Sequence, residues 1–126
     1  MTARALKRFE RRLLEERQRA KGDLAGAEAG LQAYSDAGAS GPEIQDRLDL
    51  VSGRMAAEVE ATIAERESAE LEDIDAALRG LYRSPERFGR CEICDRWIDV
   101  ARLELLPTTR RCARHGRGRH WRRVPA

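Results

Sequence analysis

Cys91 and Cys94 stand two residues apart, and after 17 further residues Cys112 and His115 repeat that spacing. Two donors separated by a tight turn reach one ion, and the intervening excursion returns a second pair to the remaining corners of a tetrahedron. Three thiolates and an imidazole suit a single Zn²⁺. With all four positions filled by protein, the site reads as structural and not catalytic. The competing reading is a Cys-x₂-Cys redox pair beside an unrelated third thiol. It needs a βαβ context, and this chain shows none. His120 is the only other histidine. It is the alternative fourth ligand through a longer loop, and the two-residue spacing favours His115.

A metal matters more where other core material is scarce. Of 126 residues only 5% are aromatic and 37% are charged, which points to one mainly α domain with a thin apolar seam and not to a large compact core. The net charge of +2 conceals strong segregation. Residues 3–21 hold eight basic and three acidic side chains, residues 58–75 hold eight acids and only Arg66, and residues 110–126 hold seven arginines and no acid. Opposed helices of this kind attract, and the two ends of the chain meet different partners. No run approaches 18 apolar residues, and Glu10, Glu15 and Glu16 argue against a transit peptide. Three cysteines clustered near one histidine fit a reducing compartment. The expectation is a cytoplasmic protein with no membrane partner.

The segment from about Thr2 to Tyr34 reads as a helix. Leu6, Phe9, Leu13, Ala20, Leu24, Ala27, Leu31 and Tyr34 recur mostly at steps of three and four. Gly22, Gly26 and Gly30 lie four apart, either as a close-approach face or as plain surface. Ser35 to Pro42 breaks the pattern, and Ser40 with Glu43 fits a capping box. A second helix follows from near Pro42 to about Tyr82, with a seam of Ile44, Leu48, Val51, Met55, Val59, Ile63, Leu71, Ile74, Leu78 and Leu81. Ser84-Pro85 ends it.

The resulting organisation is a long antiparallel helical hairpin, a coiled coil, over residues 1–83 with its tip at about 35–49. A zinc finger follows over 84–116, and a basic flexible tail over 117–126. Ile93, Trp97, Ile98, Val100, Leu103, Leu105 and Leu106 are too few to hold the finger alone. Metal binding would then contribute to folding, on the order of 10 kcal/mol in small zinc modules, and some of these residues would pack on the hairpin. A monomer is expected. Self-association through Leu48, Met55 and Val59 is the other use that periodicity allows.

Phe88-Gly89-x-Cys91-x₂-Cys94, followed by Ile98, Arg102-Leu103, Pro107 and Cys112-x₂-His115, resembles the zinc finger of the DksA/TraR family. His115 stands where the family has its fourth cysteine, and Asp95 where it has a glycine after the second. The first change keeps a zinc ligand type. The second is a backbone question, because Asp tolerates a positive φ better than most residues. The resemblance implies a regulator that binds bacterial RNA polymerase and inserts the hairpin tip in its secondary channel. The family's tip motif, D-x-x-D-x-A, matches Asp46-Arg47-Leu48-Asp49-Leu50-Val51 with Val51 in place of alanine. Carboxylates at i and i+3 share a helix face, and near a helix N-terminus they meet the positive end of the dipole. Taken alone they would be ordinary solvated acids; their place at the tip, roughly 50 Å along a helix from the zinc module, favours a functional role, and the resemblance implies that Asp46, Asp49 and Val51 are polymerase contacts.

A second function class is a zinc-containing nucleic-acid-binding protein. Arg117, Arg119, Arg122 and Arg123, with Arg110, Arg111 and Arg114 before them, would neutralise phosphates, and Trp121 would stack on a base. The bland alternative is a solvated basic tail. The spacing is not that of a C₂H₂ finger, so no recognition helix is expected. An enzyme is not expected. The H-x-E and P-C-x₂-C of a zinc deaminase, an HExxH, a Gly-rich phosphate loop and a Ser-His-Asp set are all missing.

Overall fold

Apolar or small residues at steps of three and four produce two long helices, α1 over Ala3–Gly38 and α2 over Arg47–Arg83. The computed structural model describes residues 1–38 and 47–116. A 3₁₀ turn over Pro85–Arg87 and a short helix α3 over Val100–Leu105 follow, and the described residues contain no β-strand. The two long helices pack as a hairpin.

Thr2 starts α1, its hydroxyl accepting from the Ala5 amide at 3.1 Å. The helix continues four residues past Tyr34. Ser35, Asp36 and Ala37 break helices only weakly, and the Gln32 amide donates to the Asp36 carboxylate at 2.9 Å across one turn. The capping box at Ser40 and Glu43 lies outside the described residues. Pro85 bars the α conformation at Ser84, and α2 ends at Arg83 as the sequence predicts.

Two compact units make up the chain, Met1–Arg17 with Asp73–Ala126, and Gln18–Glu72. The first holds most of the core. Phe9 and Leu13 of α1 are buried with Ile74, Ala77, Leu78 and Leu81 of α2 and with Phe88, Ile98 and Leu103 beyond it. Phe9 and Phe88 rings meet at 5.8 Å between centroids, tilted by 51°. Arg17 of α1 pairs with Asp75 of α2 at 2.8 Å. Both groups are substantially solvated, so the pair guides pairing more than it stabilises it.

The second unit has a sparser seam. Among its described residues only Ala20 and Ala27 are buried, while Leu24, Leu31, Ile63 and Leu71 are partly covered. Of the three glycines spaced by four, Gly22 and Gly26 face open space and only Gly30 meets α2, where the Glu60 side chain would lie 3.1 Å from an added Cβ. Val51, Met55 and Val59 depart from the expected seam and are exposed. Four-residue steps turn by about 40° each around a helix, so a row that begins outside at Val51 reaches the seam only at Ile63. The inward positions instead carry Gly53, Ala57, Glu60, Ala64 and Glu67. Glu67 faces Arg19 at 3.8 Å.

Burial therefore separates two substitutions of similar chemistry. Leu13 is 0% exposed and Met55 62% exposed. Leu13→Ala is expected to lower unfolding free energy by about 2–5 kcal/mol, and Met55→Ala to change it by less than about 0.5 kcal/mol. Denaturant unfolding of the two variants measures both.

Candidate metal centre

The first ligand pair sits on a tight knuckle. The Cys91 amide donates to the Arg96 carbonyl at 2.8 Å, Asp95 donates to the Cys91 carbonyl at 2.9 Å, and Ile98 donates to Gly89 at 2.7 Å. Arg90 and Trp97 form one antiparallel bridge across the knuckle. Closing this turn needs two left-handed residues, Gly89 at φ 90° and Asp95 at φ 61°. Gly89 is required twice over, since a Cβ there would approach Met1 Cε to 2.9 Å and Leu103 Cδ1 to 3.3 Å. At Asp95 the expected positive φ is present, and the side chain draws in Arg87 at 2.9 Å and Arg90 at 3.7 Å. Arg90 also lies over the Trp97 ring at 4.4 Å. Sequence reading had not anticipated this ion-pair cluster.

The second pair opens a helical turn. His115 and Gly116 both donate to the Cys112 carbonyl, at 3.0 and 2.7 Å. α3, capped by Asp99, carries Arg102, whose Nε donates to the Arg111 carbonyl at 3.2 Å. Arg111 in turn pairs with Glu92 at 2.7 Å, and the Glu92 amide donates to the Arg110 carbonyl at 2.8 Å. These bonds stitch the segment before Cys112 to the knuckle. Gly116 is buried, and a Cβ there would collide with the Arg102 guanidinium.

Cys91, Cys94, Cys112 and His115 come together, with their ligand atoms all within 4.8 Å of one another. They can hold one metal ion. A tetrahedral zinc with Zn–S bonds of ~2.3 Å and a Zn–N bond of ~2.0–2.1 Å needs S···S edges of about 3.8 Å and S···N edges of about 3.5 Å. Cys94 Sγ lies 3.9 Å from Cys112 Sγ, and His115 Nδ1 lies 3.7 Å from Cys91 Sγ and 3.3 Å from Cys112 Sγ. The donor set fits such an ion, with Nδ1 as the nitrogen donor.

In the metal-free chain these groups hold protons unequally. Burial pushes the Cys91 thiol up, but the amides of Cys94, Cys112 and Ile93 together with the Cys94 thiol outweigh it and bring it down to about 6. Cys112 is likewise pushed up by burial and brought below its ordinary value by the His115 amide and ring and the Arg114 amide. Cys94 gains from the Arg96 amide, yet burial, the two neighbouring sulfurs and the Cys112 charge raise it. Hydrogen bonds to the sulfurs of Cys112 and Cys91 raise His115. Backbone amides thus stabilise sulfur charge before any ion arrives.

The other expected site residues fall elsewhere. Val51 is exposed on α2, and Asp49 belongs to the first turn of the same helix. Asp46 lies outside the described residues, as do His120, Arg117, Arg119, Trp121, Arg122 and Arg123.

A helical hairpin joined to a Cys₃His cluster is the architecture of a DksA-like protein. The structure of transcription factor DksA2 from Pseudomonas aeruginosa is similar over 97% of this chain and 88% of that chain, with a TM-score of 0.75 and 27% sequence identity. The resemblance to the DksA/TraR family thus holds in the fold as well as in the motif. That neighbour is a transcription factor. No protein-family model matches the sequence, and no curated protein matches it significantly.

Ligand loss and acid both weaken metal binding on this geometry. Protons compete for every donor, so affinity is expected to fall as pH drops, and loading is expected to release protons. His115→Ala should cost more than the roughly 10–100-fold that loss of an outer-sphere partner costs, and His115→Cys should restore four ligands. Competition with a chromophoric chelator across a pH series reads both effects. At the knuckle, Asp95→Ala keeps the unfavourable φ and loses two ion pairs, whereas Asp95→Gly relieves the backbone. Asp95→Ala is therefore expected to be the less stable of the two, by about 1 kcal/mol, in thermal unfolding of the metal-loaded protein.

Proposed function

We propose that the chain is a zinc-binding transcription regulator that binds bacterial RNA polymerase and places the tip between α1 and α2 in the enzyme's secondary channel. The observation that carries this reading is the likeness to transcription factor DksA2 over 97% of the chain. The Cys₃His cluster supports it, since its donor distances suit zinc. One Zn²⁺ on Cys91, Cys94, Cys112 and His115 holds the finger of residues 84–116 in shape beside the hairpin of residues 1–83, and takes no part in chemistry.

Asp46, Asp49 and Val51 are the polymerase contacts in this reading. Asp49 and Val51 lie in the first turns of α2, where acids meet the positive end of the helix dipole. An exposed Val51 adds an apolar contact beside them. The protein acts as a monomer in the cytoplasm, and no described helix is long and apolar enough to cross a membrane. The tail arginines Arg117, Arg119, Arg122 and Arg123 with Trp121 carry the second reading, a direct nucleic-acid contact.

Binding of the zinc-loaded protein to core RNA polymerase, in competition with a known secondary-channel factor, tests the proposal. Competition is expected. Asp46→Asn/Asp49→Asn should abolish the effect on transcription while polymerase affinity changes only a few-fold. Absence of competition at protein concentrations well above those of the competitor would sink the reading.

A further inference from the structure

The first three turns of α1 break two local rules at once. Helix N-termini favour acids, yet the first turn of α1 has none and carries Arg4. Side chains three and four apart are neighbours, and here four such pairs are like-charged, Arg4–Lys7, Arg4–Arg8, Lys7–Arg11 and Arg8–Arg11, against the opposite-charged spacings Lys7–Glu10 and Arg11–Glu15. Farther along the same helix the pattern is conventional, with Arg12 paired to Glu16 at 3.4 Å and Arg19 to Asp23 at 3.0 Å. Arg8 reaches Glu104 at 3.5 Å. Arg4, Lys7 and Arg11 meet no carboxylate among the described residues. Local conflicts without an intramolecular return mark positions kept for a partner.

We propose that the outer face of α1 from Arg4 to Arg11 binds the phosphate backbone of nucleic acid. Phe9 and Leu13 bury the opposite face of the helix, which fixes this one outward. Between Arg4 and Arg11 the fully exposed residues are Lys7 and Arg8 alone, and the half-buried Glu10 lies at the edge of the face, so the outward surface is predominantly cationic. A docking site for a folded protein would need an apolar core within a polar rim, and this stretch offers none. Phosphate contacts need only positioned cations. Seven residues of helix advance by ~10 Å, about the axial rise of three nucleotides in one strand of a duplex. Phosphate contacts carry no base information, so the contact is independent of sequence. It is separate from the tail and does not rest on the polymerase reading.

The test is fluorescence anisotropy of the full zinc-loaded chain with a short mixed-sequence DNA duplex over a salt series. Arg4→Gln/Lys7→Gln/Arg11→Gln is expected to weaken binding roughly tenfold or more at low salt, and to reduce the slope of log K against log salt by about 2.7, near 0.9 per cation. Its unfolding midpoint should hold or rise as like-charge repulsion is relieved, whereas a merely structural role would lower it. Arg4→Lys/Arg11→Lys keeps the charge and should keep the slope. The proposal is overturned if the wild-type chain binds no DNA at low salt, if the glutamine variant leaves the slope unchanged, or if Arg122→Gln/Arg123→Gln alone removes all binding. Weakened polymerase binding with DNA affinity intact would also overturn it, and would assign the face to an acidic protein surface.

Discussion

Contact between Phe9 and Phe88 is the packing event on which the described structure of the first unit depends. Phe88 follows the 3₁₀ turn that ends α2, and its ring reaches the first turns of α1. Through it the segment beyond α2 joins a core that neither helix nor finger has enough apolar side chains to build alone. Ile98 and Leu103 beyond α2 and Ile74, Leu78 and Leu81 of α2 are buried in the same unit. Large residues buried in common stabilise far more than the surface pair of Arg17 and Asp75.

The metal centre hangs on this core through short-range geometry. Cys91 is 1% exposed because the knuckle that carries it lies directly after Phe88 and Gly89. The turn itself is held by backbone bonds and by two positive φ angles, and the second ligand pair by Arg102 bridging to the Arg111 carbonyl. The amides of Cys94, Cys112 and Ile93 lower the Cys91 thiol, while those of Cys91, Asp95 and Ile98 close the turn, so the backbone of this region both shapes the knuckle and readies its sulfur for metal.

Away from the core, the second unit follows a different logic. Alanine and glycine at the seam allow close approach but bury little area, and Glu60 and Glu67 occupy inward positions that apolar residues would fill in a stronger coiled coil. Its large exposed apolar residues, among those described, are Tyr34 of α1 and Leu50, Val51, Met55 and Val59 in the first half of α2. Apolar area here is spent on the surface and not on the seam.

Much of this was legible without coordinates. The two helices, the stop at Ser84-Pro85, the joining of Cys91, Cys94, Cys112 and His115, and the strain at Asp95 follow from periods, proline sterics, ligand spacing and left-handed φ, all properties of nearby residues. Three matters were decided only by tertiary structure. The rotation of the Val51, Met55, Val59 row away from α1 depends on where the partner helix lies. The pairing of Arg87 and Arg90 with Asp95, and of Arg102 with the Arg111 carbonyl, depends on how the chain returns across the knuckle. The bare cations of α1 could be recognised as unpaired only once their neighbours had positions. Local sequence sets which conformations are cheap; which long-range partners meet is a property of the packed chain, and no periodicity encodes it.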